Sequence, residues 1–286
     1  MQSLEVIKNK ISGTESLRSI VRTMKILAAV SIRQHEKKLN SLQAYGNTIE
    51  LGLQVVLKSV NTKEEKRLPV QDKLGAIIFG SDMGLCGQFN EQMAAFATDS
   101  IGTEKALIMT VGEKVLAKLD GVWDWLPFPA TLSAGVESVL RNLLDRIDIW
   151  RTAKGVDRVA LFYNRLIPES LSYEPVKVML LPVDENYLEG LRKKKWRSRS
   201  IPMFKMPKEE LFAVLIKNLL YVSLYRAFVE SLAAESAARL TSMEAAEKHI
   251  DERIKNLNEL YNSERQDAIT SELLDIIAGY EILTKK

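Results

Sequence analysis

The sequence predicts an α+β or α/β fold in which the two ends of the chain form a long antiparallel two-helix coiled coil. The middle of the chain is predicted to form a Rossmann-like α/β domain. All eight prolines lie between residues 69 and 207, and ten of the fourteen glycines lie between residues 75 and 190. In a helix interior proline costs about 3 kcal/mol and glycine about 1 kcal/mol relative to alanine. We therefore predict a coiled-coil helix over 1–60, an α/β domain over 61–207 and a second coiled-coil helix over 208–286.

The N-terminal flank carries apolar residues at spacings of mostly three and four, the stripe of an amphipathic helix. These residues are Leu4, Ile7, Ile11, Leu17, Ile20, Met24 and Leu27. We predict a helix over residues 3–58 that packs this stripe against a partner helix. Gly13 lies in a polar stretch and is expected to loosen the helix locally.

The C-terminal flank begins with a dense apolar stretch and continues with a leaner apolar seam. The seam residues are Met243, Ala246, Ile250, Ile254, Leu257, Tyr261, Ala268 and Leu274. We predict one helix over residues 209–283. Because helices in compact domains average about 11–12 residues, a helix of this length needs a partner helix or other chains to cover it.

Charge favours the partner helix within the same chain. Residues 1–58 carry nine basic and four acidic side chains, whereas residues 208–286 carry ten basic and fourteen acidic ones. Flanks of opposite charge with apolar seams suit an antiparallel coiled coil. Two ordinary amphipathic helices on a globular core remain the alternative.

The middle of the chain alternates between strand and helix patterns, which predicts an α/β layer with a partly parallel sheet. Strands are predicted over residues 74–80, 106–111, 157–163 and 176–181, and helices over 88–99, 112–119 and 132–150. Residues 184–207 interrupt this pattern with the basic run RKKKWRSR at 192–199. A solvated loop and a contact with phosphates or anionic lipid both fit that run.

Composition excludes several classes of protein. The chain has 286 residues, a net charge of +3, one cysteine and two histidines. This balance argues against a disordered tail and against a dedicated nucleic-acid binder. A single cysteine excludes an intramolecular disulfide and a multi-cysteine metal site. No run approaches about 18 consecutive apolar residues, and no signal or transit segment is recognised, so a soluble protein of a reducing compartment is expected.

No catalytic set emerges from the residue types. The loop from Gly80 to Gly87 connects a strand to a helix, but it lacks the Lys-Ser/Thr of a P-loop and is not a G-x-G-x-x-G, so a tight turn is favoured over nucleotide binding. Cys86 has no nearby histidine and is expected to be a partly buried thiol. Asp82 has no paired carboxylate. His35 and His249 are expected to be exposed on helices, and no metal or cofactor site is predicted.

Three separated stretches resemble the gamma subunit of F-type ATP synthases. Residues 22–33, RTMKILAAVSIR, are similar to the family signature Lys-Ala-Met-Lys/Glu-Met-Val-Ala-Ala-Ala-Lys-x-Arg. Residues 81–87, SDMGLCG, are similar to Ser-Asp-Arg/Lys-Gly-Leu-Cys-Gly. Residues 224–246 and 261–283 resemble the most diagnostic C-terminal region of that family. The resemblance runs from end to end in the family's order.

This resemblance implies a central-stalk rotor that couples ion flow through a membrane sector to ATP synthesis or hydrolysis. The implied partners are three alpha and three beta subunits around the coiled coil, with the epsilon subunit and the ring of c subunits below the α/β domain. The implied place is the cytoplasmic side of a bacterial or archaeal cell membrane, as a peripheral protein. The family implies no catalytic residue, cofactor or metal in this chain, and no nucleic-acid partner.

The resemblance also assigns roles to individual residues. Met24 and Lys25 match the pair that lies beside the acidic lever of a beta subunit, and Arg33 matches the arginine that ends the signature. The polar set that forms a catch with beta-subunit loops matches Arg265, Gln266, Thr270 and Glu272. The family motif of the α/β domain matches Ser81, Asp82, Gly84, Leu85, Cys86 and Gly87.

Some positions depart from the family pattern. Ser31 stands where lysine is usual, Met83 where arginine or lysine is usual, and Gln88 where glycine is usual. These departures resemble the N-type ATPases of bacteria and archaea, which often pump sodium, although the c subunit selects the ion. A nucleotide-binding α/β enzyme and a coiled-coil scaffold remain as alternative functions.

Overall fold

The computed structural model describes residues 4–59, 73–119, 124–128, 135–167, 169–196 and 202–284. Its contacts divide the chain into two compact units. We call residues 4–28 with 240–284 the helical unit, and the described residues between 29 and 239 the α/β unit. The two units are defined by which residues pack together. They do not test the predicted domain limits at residues 60 and 207, which remain a prediction.

Six helices and five strands make up the described residues. In chain order they are α1 (Leu4–Ser59), β1 (Leu74–Phe79), α2 (Phe89–Ile101), β2 (Ala106–Val111), α3 (Glu113–Leu116), β3 (Asp124–Leu126), α4 (Val136–Lys154), β4 (Arg158–Ile167), β5 (Ser172–Leu181), α5 (Glu185–Lys193) and α6 (Lys208–Thr284). The two terminal helices begin and end within one residue of the predicted limits. Gly13 does not interrupt α1.

The five strands form one mixed sheet in the order β3-β2-β1-β4-β5. β1 lies in the middle and pairs in parallel with β2 and β4, while β5 pairs antiparallel with β4. All six residues of β1 are buried, as expected for a central strand covered on both faces. The sheet and the two long helices confirm the predicted fold class.

Two elements were not predicted. β3 has only three residues and lies at the sheet edge beside β2, so its sequence offers no alternating pattern. α5 occupies residues that we predicted to be irregular, and its N-terminus is capped by the carboxylate of Asp184, which accepts a hydrogen bond from the Asn186 amide. Part of the basic run therefore belongs to a helix, and residues 197–199 lie outside the described part of the chain.

Each face of the sheet carries its own apolar core, because side chains alternate along a strand. One core joins Ile77 and Phe79 to α4 and α6. The Phe228 ring of α6 lies 4.6 Å from the Phe128 ring in a stacked arrangement and 6.0 Å from the Phe79 ring, edge to face. The other core joins the opposite side of β1 to α2.

Helix α6 contains a fully buried stretch in the α/β unit. The twelve consecutive residues 227–238 are all buried. A helix that is buried on every side must be apolar all around unless its polar groups find partners. This stretch nevertheless contains two carboxylates, Glu230 and Glu235.

The long helices run antiparallel within each unit. In the α/β unit, a Cβ atom at Gly46 would lie 3.8 Å from Val222, whereas one at Gly52 would lie 2.9 Å from Leu215. Residue numbers therefore increase along α1 in the direction in which they decrease along α6. In the helical unit, Arg18 contacts Asp251 and Arg22 contacts Glu247, which gives the same direction. The predicted antiparallel pairing is confirmed.

The predicted seam of α1 is wrong in part. The structure buries or half-buries a regular heptad that includes polar residues: Ile7, Ile11, Thr14, Arg18, Val21, Lys25, Ala28, Ile32 and His35. Leu17, Ile20 and Leu27, which we predicted to face the partner helix, point outward and are more than half exposed. The apolar pattern misled the prediction because this helix has apolar residues on two faces.

His35 is buried, which corrects the prediction that it is exposed. It occupies an inward heptad position of α1, and burial lowers the pKa of its imidazole to about 4. His249 is exposed as predicted and lies 3.6 Å from Glu252.

Among the described residues, one helix, α6, is long and apolar enough to cross a membrane by length and composition. The sequence-based prediction considered only runs of consecutive apolar residues, and α6 meets a test based on mean hydropathy instead. The core helix of a globular unit passes the same test, and Leu224, Phe228 and Leu232 of α6 belong to the core beneath the sheet. Only 28% of the qualifying window is buried, so these core contacts involve part of the stretch, and one such helix is weak evidence for a membrane span.

Candidate functional site: the 81–87 loop and the outer surface of the helical unit

The loop over residues 81–87 is held by hydrogen bonds to the start of α2. The Ser81 amide donates to Oδ1 of Asn90 at 3.0 Å, and the Asn90 Nδ2 donates to the Ser81 hydroxyl at 2.9 Å. The Ser81 hydroxyl in turn donates to the Met83 carbonyl at 2.9 Å. Ser81 and Asn90 are both buried. Asn90 therefore acts as the internal brace of this turn, a role that the sequence analysis missed.

Asp82 is used as a structural acceptor. One carboxylate oxygen accepts from the Glu113 amide at 2.8 Å, and the other accepts from the Phe128 amide at 2.7 Å. These bonds tie the loop to the first residue of α3 and to the segment after β3. Because both oxygens already accept backbone bonds, Asp82 is poorly placed to serve as a general base.

Cys86 is a buried thiol, as predicted. Burial raises its pKa, against a smaller lowering by the hydrogen bond to Ser81. A thiol with a raised pKa is a weak nucleophile because the thiolate is the reactive form. The geometry gives Cys86 a packing role in the loop.

The tip of the loop is exposed. Met83, Gly84 and Leu85 all reach solvent, and Leu85 has a positive φ of 64°. The Gly84 carbonyl accepts a long hydrogen bond, 3.5 Å, from Arg239 of α6. Gly87 also has a positive φ, 59°, which its lack of a Cβ permits.

Within the described residues, no group of histidine, cysteine, aspartate or glutamate side chains could hold a metal ion. A groove of about 570 Å³ lies elsewhere in the α/β unit, between α1, β5, α5 and α6. None of residues 81–87 lines it. The polar groups of the loop thus brace its own turn rather than converge on a cavity.

In the helical unit, the basic residues of α1 meet acidic residues of α6. The Arg18 Nε lies 2.8 Å from an Asp251 oxygen, and the Glu247 carboxylate contacts both Arg22 at 3.3 Å and Lys25 at 2.5 Å. The hydrogen bond from Lys25 lowers the pKa of Glu247. The opposite charges of the two flanks therefore meet side by side, as the charge pattern predicted.

Met24 and Lys25 are half-buried in this unit, and Lys25 already has an intrachain partner. Arg265, Gln266, Thr270 and Glu272 are all exposed on α6. The Thr270 hydroxyl donates to the Gln266 carbonyl at 2.9 Å within the helix. Arg33 is exposed on α1 in the other unit. The structure therefore shows how exposed these residues are, but not which residues of another subunit they contact.

Large apolar side chains cover the outside of the helical unit. On α1 they include Leu17, Ile20, Ile26 and Leu27, each between 56% and 60% exposed. On α6 they are Leu260, Ile269, Leu273, Leu274, Ile276 and Ile277. The ion pairs place Leu4, the first described residue of α1, opposite residue 265. Residues 266–278 of α6 therefore continue past the described start of α1.

Comparison with known proteins gives one consistent family. A family model described as ATP synthase matches residues 3–283. The ATP synthase gamma chain of Pasteurella multocida is 29% identical over 98% of this chain and 99% of its own length. The ATP synthase gamma chain of Anaeromyxobacter dehalogenans is 29% identical over 99% of this chain and its full length.

Solved structures share the fold. A chain of the Euglena gracilis mitochondrial ATP synthase OSCP/F1/c-ring structure superposes with a TM-score of 0.68 at 17% identity, covering 98% of this chain and 94% of that chain. A chain of the Tetrahymena thermophila central stalk/c-ring structure gives 0.56 at 22% identity, over 79% and 99%. Because the family model matches nearly every residue, the chain belongs to the ATP synthase family, with gamma chains as its relatives.

Proposed function

We propose that this chain is the central-stalk rotor, the gamma subunit, of an F-type ATP synthase or ATPase. The observation that carries the proposal is the outer surface of the helical unit, which large apolar residues cover although its seam also buries apolar residues such as Ile7 and Met243. Exposed apolar patches on this scale mark surfaces that other proteins cover. A ring of alpha and beta subunits around the coiled coil would supply that cover.

The apolar surface is most complete on the part of α6 that lies past Leu4. Ile269, Leu273 and Leu274 follow one another at helical spacings, and Ile276 and Ile277 extend the surface around the helix. A single helix that is apolar on several faces gains stability only when it is surrounded. This supports insertion of the C-terminal end of α6 into a close-fitting apolar sleeve formed by three alpha and three beta subunits.

The mechanism assigned to this chain is mechanical. Its outer surface differs from face to face, so each rotor angle would make different contacts with each beta subunit. A rotor angle that contacts one nucleotide state better than another shifts that subunit's nucleotide affinity by the difference in contact free energy. Catalytic groups then belong to the surrounding subunits, and this chain acts as a non-catalytic subunit.

The remaining partners follow from the same function. The α/β unit would sit on the epsilon subunit and on the ring of c subunits, which ties the chain peripherally to a membrane. Family membership supports the membrane-associated complex, and gamma chains of bacteria among the relatives support the cytoplasmic side of a bacterial membrane. The departures at Ser31, Met83 and Gln88 motivate an N-type, sodium-pumping complex.

We assign Met24, Lys25, Arg33, Arg265, Gln266, Thr270 and Glu272 to contacts with beta subunits. The exposure of the four C-terminal residues supports this assignment. Lys25 would share its charge between Glu247 and an acidic group of a beta subunit, because an ammonium has three donors. Each time a beta subunit comes close, Lys25 would then exchange its contact with Glu247 for one with that subunit.

The test is reconstitution with the alpha and beta subunits encoded by the same organism. We expect a complex of three alpha, three beta and one copy of this chain, with ATP hydrolysis that depends on it. Ile269→Asp should abolish or strongly reduce assembly, because it places a charge in the apolar sleeve. Ile149→Asp on α4 is the matched control, since Ile149 and Ile269 are both helical isoleucines with 47% exposure.

Each outcome of this experiment decides between functions. Normal assembly and turnover with Ile269→Asp would contradict insertion of α6. A chain that never joins alpha and beta subunits would favour a coiled-coil scaffold. Micromolar binding of ATP or NAD to the isolated chain, measured by isothermal titration calorimetry, would favour the nucleotide-binding enzyme.

A further inference from the structure

Two buried carboxylates connect α6 to the rest of the α/β unit. Glu230 and Glu235 lie five residues apart in the fully buried stretch of α6, and each is at least 94% buried. The surrounding positions are apolar and many are small, including Ala227, Ala233 and Ala234. Carboxylates in such a setting need cationic partners, because a buried unpaired charge is strongly unfavourable.

Glu230 bridges α6 and the sheet. One of its oxygens accepts from the Arg226 Nε at 2.7 Å, one turn earlier on α6. The other lies 3.5 Å from the Nε of Arg165 on β4. Arg165 also approaches the Tyr163 hydroxyl at 3.4 Å. Burial and the Glu230 charge raise the pKa of Tyr163 to about 12, so its hydroxyl stays neutral.

Glu235 connects α6 to the 81–87 loop. Its carboxylate accepts from the Arg239 guanidinium at 2.5 Å, and the same nitrogen of Arg239 lies 3.5 Å from the Gly84 carbonyl. Burial raises the pKa of Glu235, while Arg239 lowers it. Arg239 is therefore both the counter-ion of Glu235 and a contact to the tip of the loop.

Stability alone gives a weak reason for these pairs. Replacing both partners of a buried ion pair by apolar residues of similar volume is often neutral or stabilising, whereas removing one partner is strongly destabilising. The best-attested use of buried charged groups is to fix one arrangement of packed helices among several of similar energy. Apart from Glu235, residues 233–238 are alanine or serine, so this part of α6 has no large apolar side chain that interlocks with its surroundings, unlike Phe228.

We propose that Glu230 and Glu235 are positioning residues that fix the rotational setting of α6 inside the α/β unit. Each carboxylate contacts a fixed point of that unit, β4 in one case and the 81–87 loop in the other, the second through Arg239. Turning α6 about its axis would separate Glu230 from Arg165 and Arg239 from the Gly84 carbonyl. The Glu230–Arg226 and Glu235–Arg239 pairs lie within α6 and would turn with it. This inference rests on the proposed rotor function, because a rotor must transmit torque between its α/β unit and α6 without slipping.

The test uses the whole reconstituted ion-pumping complex. The main variant replaces the second pair by Glu235→Leu with Arg239→Leu, and Glu235→Gln with Arg239→Gln is made in case leucine overpacks the site. The matched control is Glu189→Leu with Lys193→Leu on α5, a pair with the same spacing that is exposed. Glu235→Leu alone should destabilise folding or assembly, because it leaves the largely buried Arg239 without its anion.

We expect the double variants to assemble, to melt within a few degrees of the unmodified complex and to hydrolyse ATP within about twofold of its rate. The number of ions pumped per ATP should fall about fivefold or more. A fivefold change corresponds to the smallest coupling free energies that are typical between two sites. The α5 control should pump normally.

A second measurement reports the setting of α6 directly. Spin labels are attached to cysteines introduced at Lys217 on α6 and Asp99 on α2, both exposed positions of the α/β unit. The distance distribution between them should broaden in the double variants and stay narrow in the α5 control.

Three results would overturn the inference. These are full pumping with a narrow distance distribution in both double variants, a large loss of thermal stability in both, or reduced pumping in the α5 control as well. Failure of the unmodified chain to assemble with alpha and beta subunits would instead contradict the proposed function, so the two failures are distinguishable.

Discussion

The two units of this chain differ in how many of their large apolar side chains they bury. The α/β unit encloses its large apolar residues between a sheet and its helices, and Phe79, Phe162 and Phe228 have no exposed surface. The helical unit buries Ile7 and Met243 in its seam but exposes many other large apolar residues, and ion pairs between α1 and α6 lie beside that seam. One unit is stable by its own packing, whereas the other has a surface that only other chains can bury. Substitutions should therefore affect the free energy of unfolding in one unit and assembly in the other.

The sharpest form of this comparison is a pair of alanine substitutions. Phe228→Ala should lower the free energy of unfolding by about 3–5 kcal/mol, because it removes a ring stacked in the core beneath the sheet. Leu273→Ala should change it by less than about 0.5 kcal/mol, since this side chain is 54% exposed. Urea unfolding of the isolated chain, followed by circular dichroism, measures both. Equal effects would contradict the division into a packed unit and an exposed one.

The buried His35 predicts a pH effect in the α/β unit. Its pKa is about 4 in the folded chain and about 6.5 when unfolded, so between these values the unfolded state binds the proton first. Stability contributed by the neutral imidazole is therefore complete above pH 6.5 and lost as pH falls toward 4, by about 3 kcal/mol in total.

His35→Leu should remove this contribution to acid sensitivity. The difference in the free energy of unfolding between the variant and the unmodified chain should grow in favour of the variant from pH 7 to pH 4.5. His249→Leu is the control, because His249 is exposed. An identical pH dependence for all three chains would show that His35 is protonated as easily when folded as when unfolded.

Two glycines give the next largest contrast. Gly112 has a φ of 116°, and a Cβ there would lie 2.8 Å from the Ser81 amide nitrogen, so Gly112→Ala should destabilise the α/β unit by about 1–3 kcal/mol. Gly13 lies inside α1 with nothing within 4 Å of its Cβ position. Gly13→Ala should stabilise the helical unit by about 1 kcal/mol. Thermal melting checks the signs, and two effects of the same sign would contradict this account.

The ion pairs of the helical unit should have the smallest effect. Arg18 and Asp251 are each more than 40% exposed, so their pair should contribute about 0.2–1 kcal/mol. A double-mutant cycle with Arg18→Gln and Asp251→Asn measures the coupling. It should shrink in 1 M salt, because exposed charges are screened. A coupling free energy that is large and independent of salt would contradict this prediction, because it would mean that the Arg18–Asp251 pair behaves as a buried ion pair.

Much of the fold could be predicted because proline and glycine restrict where long helices can form. The limits of α1 and α6 follow from that restriction, and β1 and β2 follow from short buried runs between turn residues. The seam of α1 could not be predicted, because Leu17, Ile20 and Leu27 look like core residues in sequence but are exposed. Which apolar face packs against a partner helix depends on the partner's surface, and a single chain does not reveal the subunits that cover the other face.

The 81–87 loop shows a second limit. Its position between a strand and a helix was predictable. The brace by Asn90 and the backbone bonds to Asp82 were not, because they join residues 9 to 46 positions apart. The approach of Arg165 to Glu230 and of the Gly84 carbonyl to Arg239 depends on tertiary packing in the same way, whereas Arg226 and Arg239 lie one turn from their carboxylates.

Rotation is the most direct test of the central claim. A bead or gold particle can be attached to Lys154→Cys on the α/β unit, because the only native cysteine, Cys86, is buried. With the alpha and beta subunits fixed to a surface, ATP should turn the particle continuously in one direction, and turning should stop when ATP is removed. A particle that stays still while the same molecules hydrolyse ATP would contradict the account.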